Sequence, residues 1–212
     1  HITPSYPGRV YSAMTDGDGE ESKAYVERFL DATKSTMLFA KGVILVEGIS
    51  EQILIPTFAD TLLDTSLADE HIAVVAVGGR TFKHFLPLFG ALLEDDKFGL
   101  PRRVACIVDA DPKKKHGENR YRKCYPYQLE SDEDRHQSRV VDTLYAYASG
   151  SPNIKISRGE MTLEYDLAKV NSQSGLLVTP FCSHASQLEA LAFNGSLDEK
   201  LQSKIADMEE DL

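Results

Sequence analysis

The chain has 212 residues, of which 42% are hydrophobic, and this is enough apolar material for one main domain with a full core. Its 23 Lys and Arg residues against 33 Asp and Glu residues give a formal net charge of −10. That balance excludes a protein that holds nucleic acid through a generally basic surface, so any such contact must be local or mediated by metal ions.

The three cysteines, Cys106, Cys124 and Cys182, are widely spaced and form no CxxC pair, which argues against a zinc site and against a disulfide framework. We therefore expect a cytoplasmic protein. No apolar run approaches the length of a membrane span and no signal peptide opens the chain, so no membrane partner is expected. The first residue is His1 rather than a methionine, and we expect a piece of a longer protein.

In chain order, the first helix-like pattern begins only after residues 15–22. Helical spacing then predicts two further helices, at residues 50–64 and 81–95, the second bent or restarted at Pro87. Continuous apolar runs are typical of strands buried on both faces of a parallel sheet. They occur at residues 42–48, 71–79 and 102–111. The alternation of strands with helices predicts a parallel sheet with right-handed crossovers.

The pattern is weaker in the second half of the chain. Residues 112–136 are mostly polar and are predicted to form a long loop. A helix is predicted at 137–149 and a strand at 153–157, whereas 159–170 fits an edge strand or a helix equally well. Two last helices are predicted at 183–195 and 196–212, the second strongly acidic.

Carboxylates follow two of the predicted strands. Glu47 ends the first, and Asp109 and Asp111 end the third. The carboxyl ends of parallel strands share one edge of a sheet, where ligands usually bind. A lone DxD pair more often shapes a turn, and a lone glutamate is as often an ion-pair partner, but converging carboxylates without a basic partner favour a divalent cation. Oxygen ligands favour Mg²⁺ or Mn²⁺, and Glu51 extends the site toward a second ion.

A basic segment follows the DxD pair. Residues 112–124 hold six Lys and Arg residues, namely Lys113, Lys114, Lys115, Arg120, Arg122 and Lys123. With Glu118 as the one acidic residue, the segment has a local charge of +5. Binding of DNA phosphates and a solvated flexible loop explain this charge equally well. Tyr121, Tyr125 and Tyr127 are candidates for stacking on bases or for anchoring the loop.

Three stretches resemble a Toprim domain, the metal-binding fold of topoisomerases, primases and certain nucleases. They are "LVEGISEQILIP", "VAVGGRTF" and "CIVDADP". With "MTLEYDLA" added, residues 35–170 are similar to the C-terminal catalytic region of OLD-family (overcoming lysogenization defect) nucleases. The resemblance implies an α/β fold, with a Rossmann-like parallel sheet flanked by helices and a small helical part. The expected domains are an N-terminal lead-in at 1–34, a Toprim catalytic domain at 35–170 and a helical part at 171–212.

By matching position, the resemblance implies catalytic roles for Glu47, Asp109 and Asp111. Glu47 is then a metal ligand or a general acid/base. Glu51 and Glu164 complete a two-metal site, and Asp166 is a weaker candidate. Gly48 and Gly79 allow close approach of the backbone to metal or phosphate.

The implied function is a metal-dependent DNA endonuclease that forms the catalytic part of an ATPase-nuclease. Its expected partners are DNA, an N-terminal ATPase domain of the same polypeptide and a helicase-type protein. No G-x-x-x-x-G-K-[ST] motif occurs in the 212 residues, so no ATP site is expected in this chain. Lys200 and Lys204 match the family's catalytic lysine only loosely and fit solvated positions on an acidic helix better.

Two other functions compete with the nuclease. Transesterification requires a nucleophilic tyrosine, and no sequence feature positions Tyr165 for this role. A non-catalytic Toprim module would bind DNA or a partner of a recombination or repair protein. Such a module has no use for Glu51 and Glu164, so the additional carboxylates favour the nuclease.

Overall fold

The structure is a computed structural model that describes residues 6–14, 17–30, 34–79, 81–93, 99–116, 120–129, 135–136 and 139–170. The chain divides into two compact units, His1–Met161 and Thr162–Leu212, which are described separately. The helices predicted at 183–195 and 196–212, with Lys200 and Lys204, lie outside the described residues. In the part of the chain that the structure describes, no helix is long and apolar enough to cross a membrane.

The described residues form α-helices, 3₁₀-helices and strands in alternation. The α-helices are α1 (Tyr6–Ser12), α2 (Gly19–Phe29), α3 (Ile49–Leu63), α4 (Phe82–Phe85), α5 (Arg139–Ser149) and α6 (Leu163–Val170). The strands are β1 (Gly42–Val46), β2 (Ile72–Ala76), β3 (Arg103–Val108), β4 (Lys113–Lys115), β5 (Tyr121–Lys123), β6 (Arg135–His136) and β7 (Ile154–Arg158). The 3₁₀-helices are Lys34–Leu38, Leu86–Phe89 and Pro126–Gln128.

Four of the strands form a parallel sheet in the order β2-β1-β3-β7. The predicted β-α-β-α-β order, the predicted helix at 137–149 and the predicted strand at 153–157 are therefore confirmed. The fold is mixed α/β with a parallel sheet flanked by helices, as expected for a Toprim domain. This arrangement brings the residues that follow β1, β2 and β3 to one edge.

One face of the parallel sheet packs on the hydrophobic core. Strand residues alternate between its two faces, and Leu45 and Cys106 are fully buried on the core side. The same cluster contains buried residues of the helices, among them Val10, Val26, Met37, Phe82, Phe85, Leu86 and Phe89. Ile44, Ala105 and Ile107 are only half-buried. The strands of the parallel sheet were predicted to be buried on both faces. Among the described residues, only the face that packs on the core is fully buried.

Helix α1 begins ahead of residues 15–22, so the prediction of where the first helix-like pattern starts is wrong. The helix has only seven residues and buries Val10 and Tyr11, too few for a periodic pattern in the sequence. The Tyr11 hydroxyl donates a 2.6 Å hydrogen bond to the backbone carbonyl of His84. Helix α1 is therefore fixed by its contacts with the core.

The predicted helix at 81–95 is shorter than expected. It begins as α4 and continues as the 3₁₀-helix Leu86–Phe89, which contains Pro87. Proline has no N–H to donate to the preceding turn, so the predicted break at Pro87 is confirmed. Gly90 ends this segment with φ of 102°, a left-handed conformation that favours glycine.

The prediction of a long loop at residues 112–136 is wrong, because described residues of this segment form a second sheet. Strand β4 pairs antiparallel with β5 on one side and with β6 on the other. These three strands, Lys113–Lys115, Tyr121–Lys123 and Arg135–His136, are called the basic sheet below. They lack the alternation of apolar and polar residues from which a strand is predicted, and β5 is exposed along its whole length. For residues 159–170, the structure decides in favour of helix α6.

Candidate active site

Glu47 directly follows β1 and connects the ends of three strands. Its backbone carbonyl accepts hydrogen bonds from the N–H groups of Gly78 (3.2 Å) and Gly79 (2.9 Å), just after β2. Its side-chain Oε1 accepts a 3.2 Å hydrogen bond from the N–H of Asp109, just after β3. Gly78 and Gly79 both have φ of 83°, which a side chain would strain. Glu47 thus holds the two neighbouring turns around the end of β1.

Glu51 lies in the first turn of α3, four residues after Glu47 in the sequence. Its Oε2 accepts a 3.1 Å hydrogen bond from the N–H of Gly48, the N-cap residue. The residue is only 9% exposed, and the helix N-terminus favours a negative charge there. A Cβ at Gly48 would lie 3.1 Å from the same oxygen, so glycine leaves room for the carboxylate. In this structure Glu51 caps α3.

The turn after β3 carries Asp109 and Asp111 and is held by the segment that follows β7. The N–H groups of Ala110 and Asp111 both point to the carbonyl of Met161, at 2.9 and 3.4 Å. Asp111 has φ of 43°, a left-handed conformation that Asp adopts more readily than most residues. Its side chain is 15% exposed, and its Oδ1 lies 3.3 Å from Nζ of Lys123.

Comparison with known proteins identifies the segment that contains these residues. Residues 38–111 match the family model "Overcoming lysogenization defect protein-like, TOPRIM domain". Residues 38–111 are therefore similar to the Toprim domain of OLD-like proteins. The matched stretch runs from the end of the first 3₁₀-helix to the DxD turn, and it includes Glu47, Glu51, Asp109 and Asp111.

Two solved structures are also similar to this chain. The C-terminal region of the Burkholderia pseudomallei OLD protein is 27% identical, with 73% of this chain and 72% of that chain covered and a TM-score of 0.44. The C-terminal region of the Xanthomonas campestris pv. campestris OLD protein is 22% identical, with 74% and 70% covered and a TM-score of 0.39. The similarity to this family rests on the matched segment, residues 38–111. A search of curated proteins finds no match.

The ligand atoms at the edge of the parallel sheet where β1 and β3 end are of the type that binds a hard divalent cation. Glu47, Asp109 and Asp111 offer carboxylate oxygens, which Mg²⁺ and Mn²⁺ prefer. The Lys123 ammonium already places one positive charge against Asp111. Among the described residues, no group of three or more His, Cys, Asp or Glu side chains is gathered closely enough to hold a metal ion. Carboxylates that lie close together repel one another when no cation is bound. In this structure the carboxylates of Glu47 and Glu51 each accept a hydrogen bond from a backbone N–H, and that of Asp111 accepts one from Lys123.

Glu164 and Asp166 belong to the second unit, where both lie in the first turn of α6. Thr162 caps this helix: its hydroxyl accepts the N–H of Tyr165 at 3.3 Å, and its carbonyl accepts the N–H of Asp166 at 3.0 Å. A role for Glu164 as a ligand of the second metal ion stays a prediction.

The basic residues that the sequence singles out are brought together by the basic sheet. Lys113 pairs with Lys123, and Lys114 pairs with Arg122, on the antiparallel strands β4 and β5. Arg120 precedes β5, and its carbonyl accepts the N–H of His116 at 2.7 Å. Sequence reasoning missed the contact of Lys123 with Asp111 because the two lie 12 residues apart within a predicted loop. It also did not identify Met161, which accepts the N–H groups of Ala110 and Asp111 through its backbone carbonyl. Every residue has such a carbonyl, so the residue type gives no indication of this role.

His84 lies in the core and has a structural role. Its Nδ1 is 3.0 Å from the buried hydroxyl of Ser22, and its ring stacks on Tyr25 at 4.4 Å between centroids. Burial lowers the pKa of His84, and the nearby ammonium of Lys83 lowers it further, while Glu21 and Asp18 act in the opposite direction.

Proposed function

We propose that this chain is the catalytic part of a DNA endonuclease that depends on Mg²⁺ or Mn²⁺ and hydrolyses phosphodiesters with two metal ions. The observation that carries the proposal is the 3.2 Å hydrogen bond from the Asp109 N–H to the Glu47 carboxylate, inside an OLD-like Toprim domain. This bond joins the two strand ends on which the predicted ligands lie.

Each carboxylate has a proposed task. Glu47, Asp109 and Asp111 would hold the first ion, and the family resemblance assigns Glu51 and Glu164 to the second. When bound at these residues, two cations would stabilise charge on the attacking and leaving oxygens and would lower the pKa of a bound water. The family resemblance also makes Glu47 a candidate general acid/base.

The proposed substrate is DNA, and the basic sheet supplies the phosphate contacts. Lys113, Lys114, Lys115, Arg120, Arg122 and Lys123 follow the DxD turn directly in the chain, and Lys123 contacts Asp111. We also propose that an N-terminal ATPase domain of the same polypeptide and a helicase-type protein act together with this part. These partners rest on the family resemblance alone.

The alternative function, a non-catalytic Toprim module for DNA or partner binding, also has a supporting observation. Glu51 is engaged as the cap of α3, so it has a structural reason to be present without a metal ion. The two functions differ in one measurable property, because only the nuclease converts supercoiled plasmid in a metal-dependent reaction.

The deciding experiment is a titration of Mg²⁺ and of Mn²⁺ in a plasmid cleavage assay, with Mn²⁺ binding followed in parallel by electron paramagnetic resonance. We expect cleavage that requires metal and no ATP, and loss of both cleavage and Mn²⁺ binding in Glu47→Gln. The control is Glu160→Gln, an exposed glutamate outside the proposed site, which should behave like the unaltered protein. Mn²⁺ binding without cleavage at any metal concentration would identify the non-catalytic module.

A further inference from the structure

The basic sheet borders a cavity of about 560 Å³, called the basic pocket below. Half of its lining residues are Lys or Arg, and one is a tyrosine: Lys114, Lys115, His116, Arg122, Lys123, Cys124, Tyr127 and Gln128. Ligand pockets in proteins usually have volumes of roughly 300–1,000 Å³. The basic pocket is therefore of a size to receive a small part of a larger anionic molecule.

Tyr127 is presented at this pocket by a short, well-fixed turn. It lies in the 3₁₀-helix Pro126–Gln128, which is closed by a 2.8 Å hydrogen bond from the Tyr125 N–H to Oε1 of Gln128. The rings of Tyr125 and Tyr127 stack with centroids 5.5 Å apart and planes 10° apart. Tyr127 nevertheless remains 63% exposed. A large ring held in place and left exposed is suited to stacking on a flat ligand.

The charges on the basic sheet also indicate an anionic ligand. Lys113 lies opposite Lys123 and Lys114 opposite Arg122, and like charges in directly paired positions destabilise an antiparallel sheet. Lys123 is compensated by Asp111. In the described part of the chain, Lys113 and Arg122 have no acidic side chain within ion-pair distance. Phosphate groups placed along these strands would remove the repulsion.

The pocket is tied to the candidate active site through the backbone as well as through Lys123. Strand β4 begins two residues after Asp111, and the Cys124 N–H donates a 3.1 Å hydrogen bond to the carbonyl of the intervening Pro112. A ligand bound in the pocket would therefore lie next to the DxD turn.

We infer that the basic pocket binds single-stranded DNA, with an unpaired base stacked on Tyr127 and its phosphates on Arg122 and the neighbouring lysines. A base within a duplex is already stacked on both faces, whereas an unpaired base has a free face for tyrosine. Phosphate contacts alone would not need a presented aromatic ring. The inference rests on the proposed function for the choice of DNA, and it narrows the substrate to DNA with an unpaired segment beside the cut.

Binding can be tested without cleavage, by fluorescence anisotropy in EDTA with the whole 212-residue chain. Three probes of equal length are needed: a labelled oligothymidylate, a duplex, and an abasic oligonucleotide that keeps the phosphates but lacks bases. The variants are Tyr127→Ala, Tyr127→Phe and Arg122→Gln. Tyr145→Ala, which removes an exposed tyrosine of α5, is the matched control. Thermal unfolding confirms that each variant is folded.

We expect Tyr127→Ala to weaken oligothymidylate binding by roughly 5- to 150-fold, the range for loss of one base–aromatic stack. Tyr127→Phe and Tyr145→Ala should bind as the unaltered protein does. The abasic probe should bind weakly and be insensitive to Tyr127→Ala, whereas Arg122→Gln should weaken all three probes. Equal effects of Tyr127→Ala and Tyr145→Ala, or duplex binding as tight as oligothymidylate binding, would overturn the inference. Because EDTA removes divalent metal, neither result depends on whether the chain cleaves DNA.

Discussion

The two sheets of this chain differ in what holds them together and in what they offer to a ligand. The parallel sheet packs residues such as Leu45 and Cys106 into the core and carries its carboxylates at one edge. The basic sheet has strands of two or three residues, places like charges opposite each other, and exposes all of β5. The parallel sheet therefore fixes the positions of the predicted catalytic groups, whereas the basic sheet presents paired cationic side chains at the surface.

The largest effect is expected when an apolar side chain is removed from the parallel sheet. Leu45→Ala deletes a fully buried side chain of β1 and should lower the free energy of unfolding by about 2–5 kcal/mol. Tyr121→Ala, on β5 and 43% exposed, should change it by less than about 0.5 kcal/mol. Urea denaturation measures both. Equal losses would show that the basic sheet is as much a part of the core as the parallel sheet.

The next largest effect concerns the edge of the parallel sheet. Asp109→Asn keeps the shape of the side chain and leaves the backbone N–H that Glu47 accepts, so the fold should be preserved. Plasmid cleavage should fall by at least on the order of 10²-fold, the scale for losing one electrostatic contribution to a transition state. Asp60→Asn makes the same chemical change on the exposed surface of α3 and should have no effect. Similar rates for the two variants would remove Asp109 from the proposed site.

A smaller effect on stability is expected when the pH is lowered, and it arises from His84 in the core next to the parallel sheet. The pKa of His84 is lowered in the folded chain, so below about pH 6.5 the unfolded chain binds more protons than the folded one. Stability should therefore be lost as the pH falls through about 6.5 toward the lower pKa of the folded state. Urea denaturation at pH 7.5 and pH 5.5 should show this loss in the unaltered protein and a reduced loss in His84→Gln.

The control for this pH effect is His71→Asn. His71 is exposed and has φ of 56°, a conformation that asparagine also accepts. This variant should retain the pH dependence of the unaltered protein. If His84→Gln retains it as well, other groups cause the loss of stability at low pH.

The smallest effect is expected in the salt dependence of the DNA binding that we propose for the basic sheet. The chain has a net charge of −10, which repels DNA, so we expect it to neutralise only a few phosphates. The slope of log affinity against log salt should therefore not exceed ~4 in magnitude. Replacement of Lys113, Lys114 and Lys115 by alanine should make the slope on duplex DNA shallower, by up to about 0.9 for each phosphate that the variant no longer neutralises. A steep slope that this triple variant leaves unchanged would place the DNA elsewhere on the surface.

The two sheets also differ in how far they could be predicted from the sequence. The strands β1, β2 and β3 follow from continuous apolar runs, because burial in a core selects apolar residues. The nearness of Glu47 to Asp109 follows from the rule that parallel strands end at a common edge. Strands β4 and β5 bury little, so their pairing depends on backbone hydrogen bonds that every sequence can make, and no composition marks them.

Within the candidate site, the carboxylates were predictable and their present partners were not. The sequence places Glu51 near the start of a helix, but it cannot show whether the carboxylate turns to Gly48 or to a ligand. The pairing of Asp111 with Lys123 depends on the hairpin that returns β5 to the DxD turn. Such contacts arise from the path of the chain in space, and this path is set by the whole fold.

Cys106 sits in the middle of β3, the strand that leads to Asp109, and its burial has a chemical consequence. Burial raises the pKa of the Cys106 thiol to about 12, so at physiological pH almost none of it is the reactive thiolate. The strand that positions the candidate site is therefore resistant to oxidation and to thiol exchange as long as the core stays closed. Alkylation of Cys106 by a thiol reagent would report directly on opening of the parallel sheet.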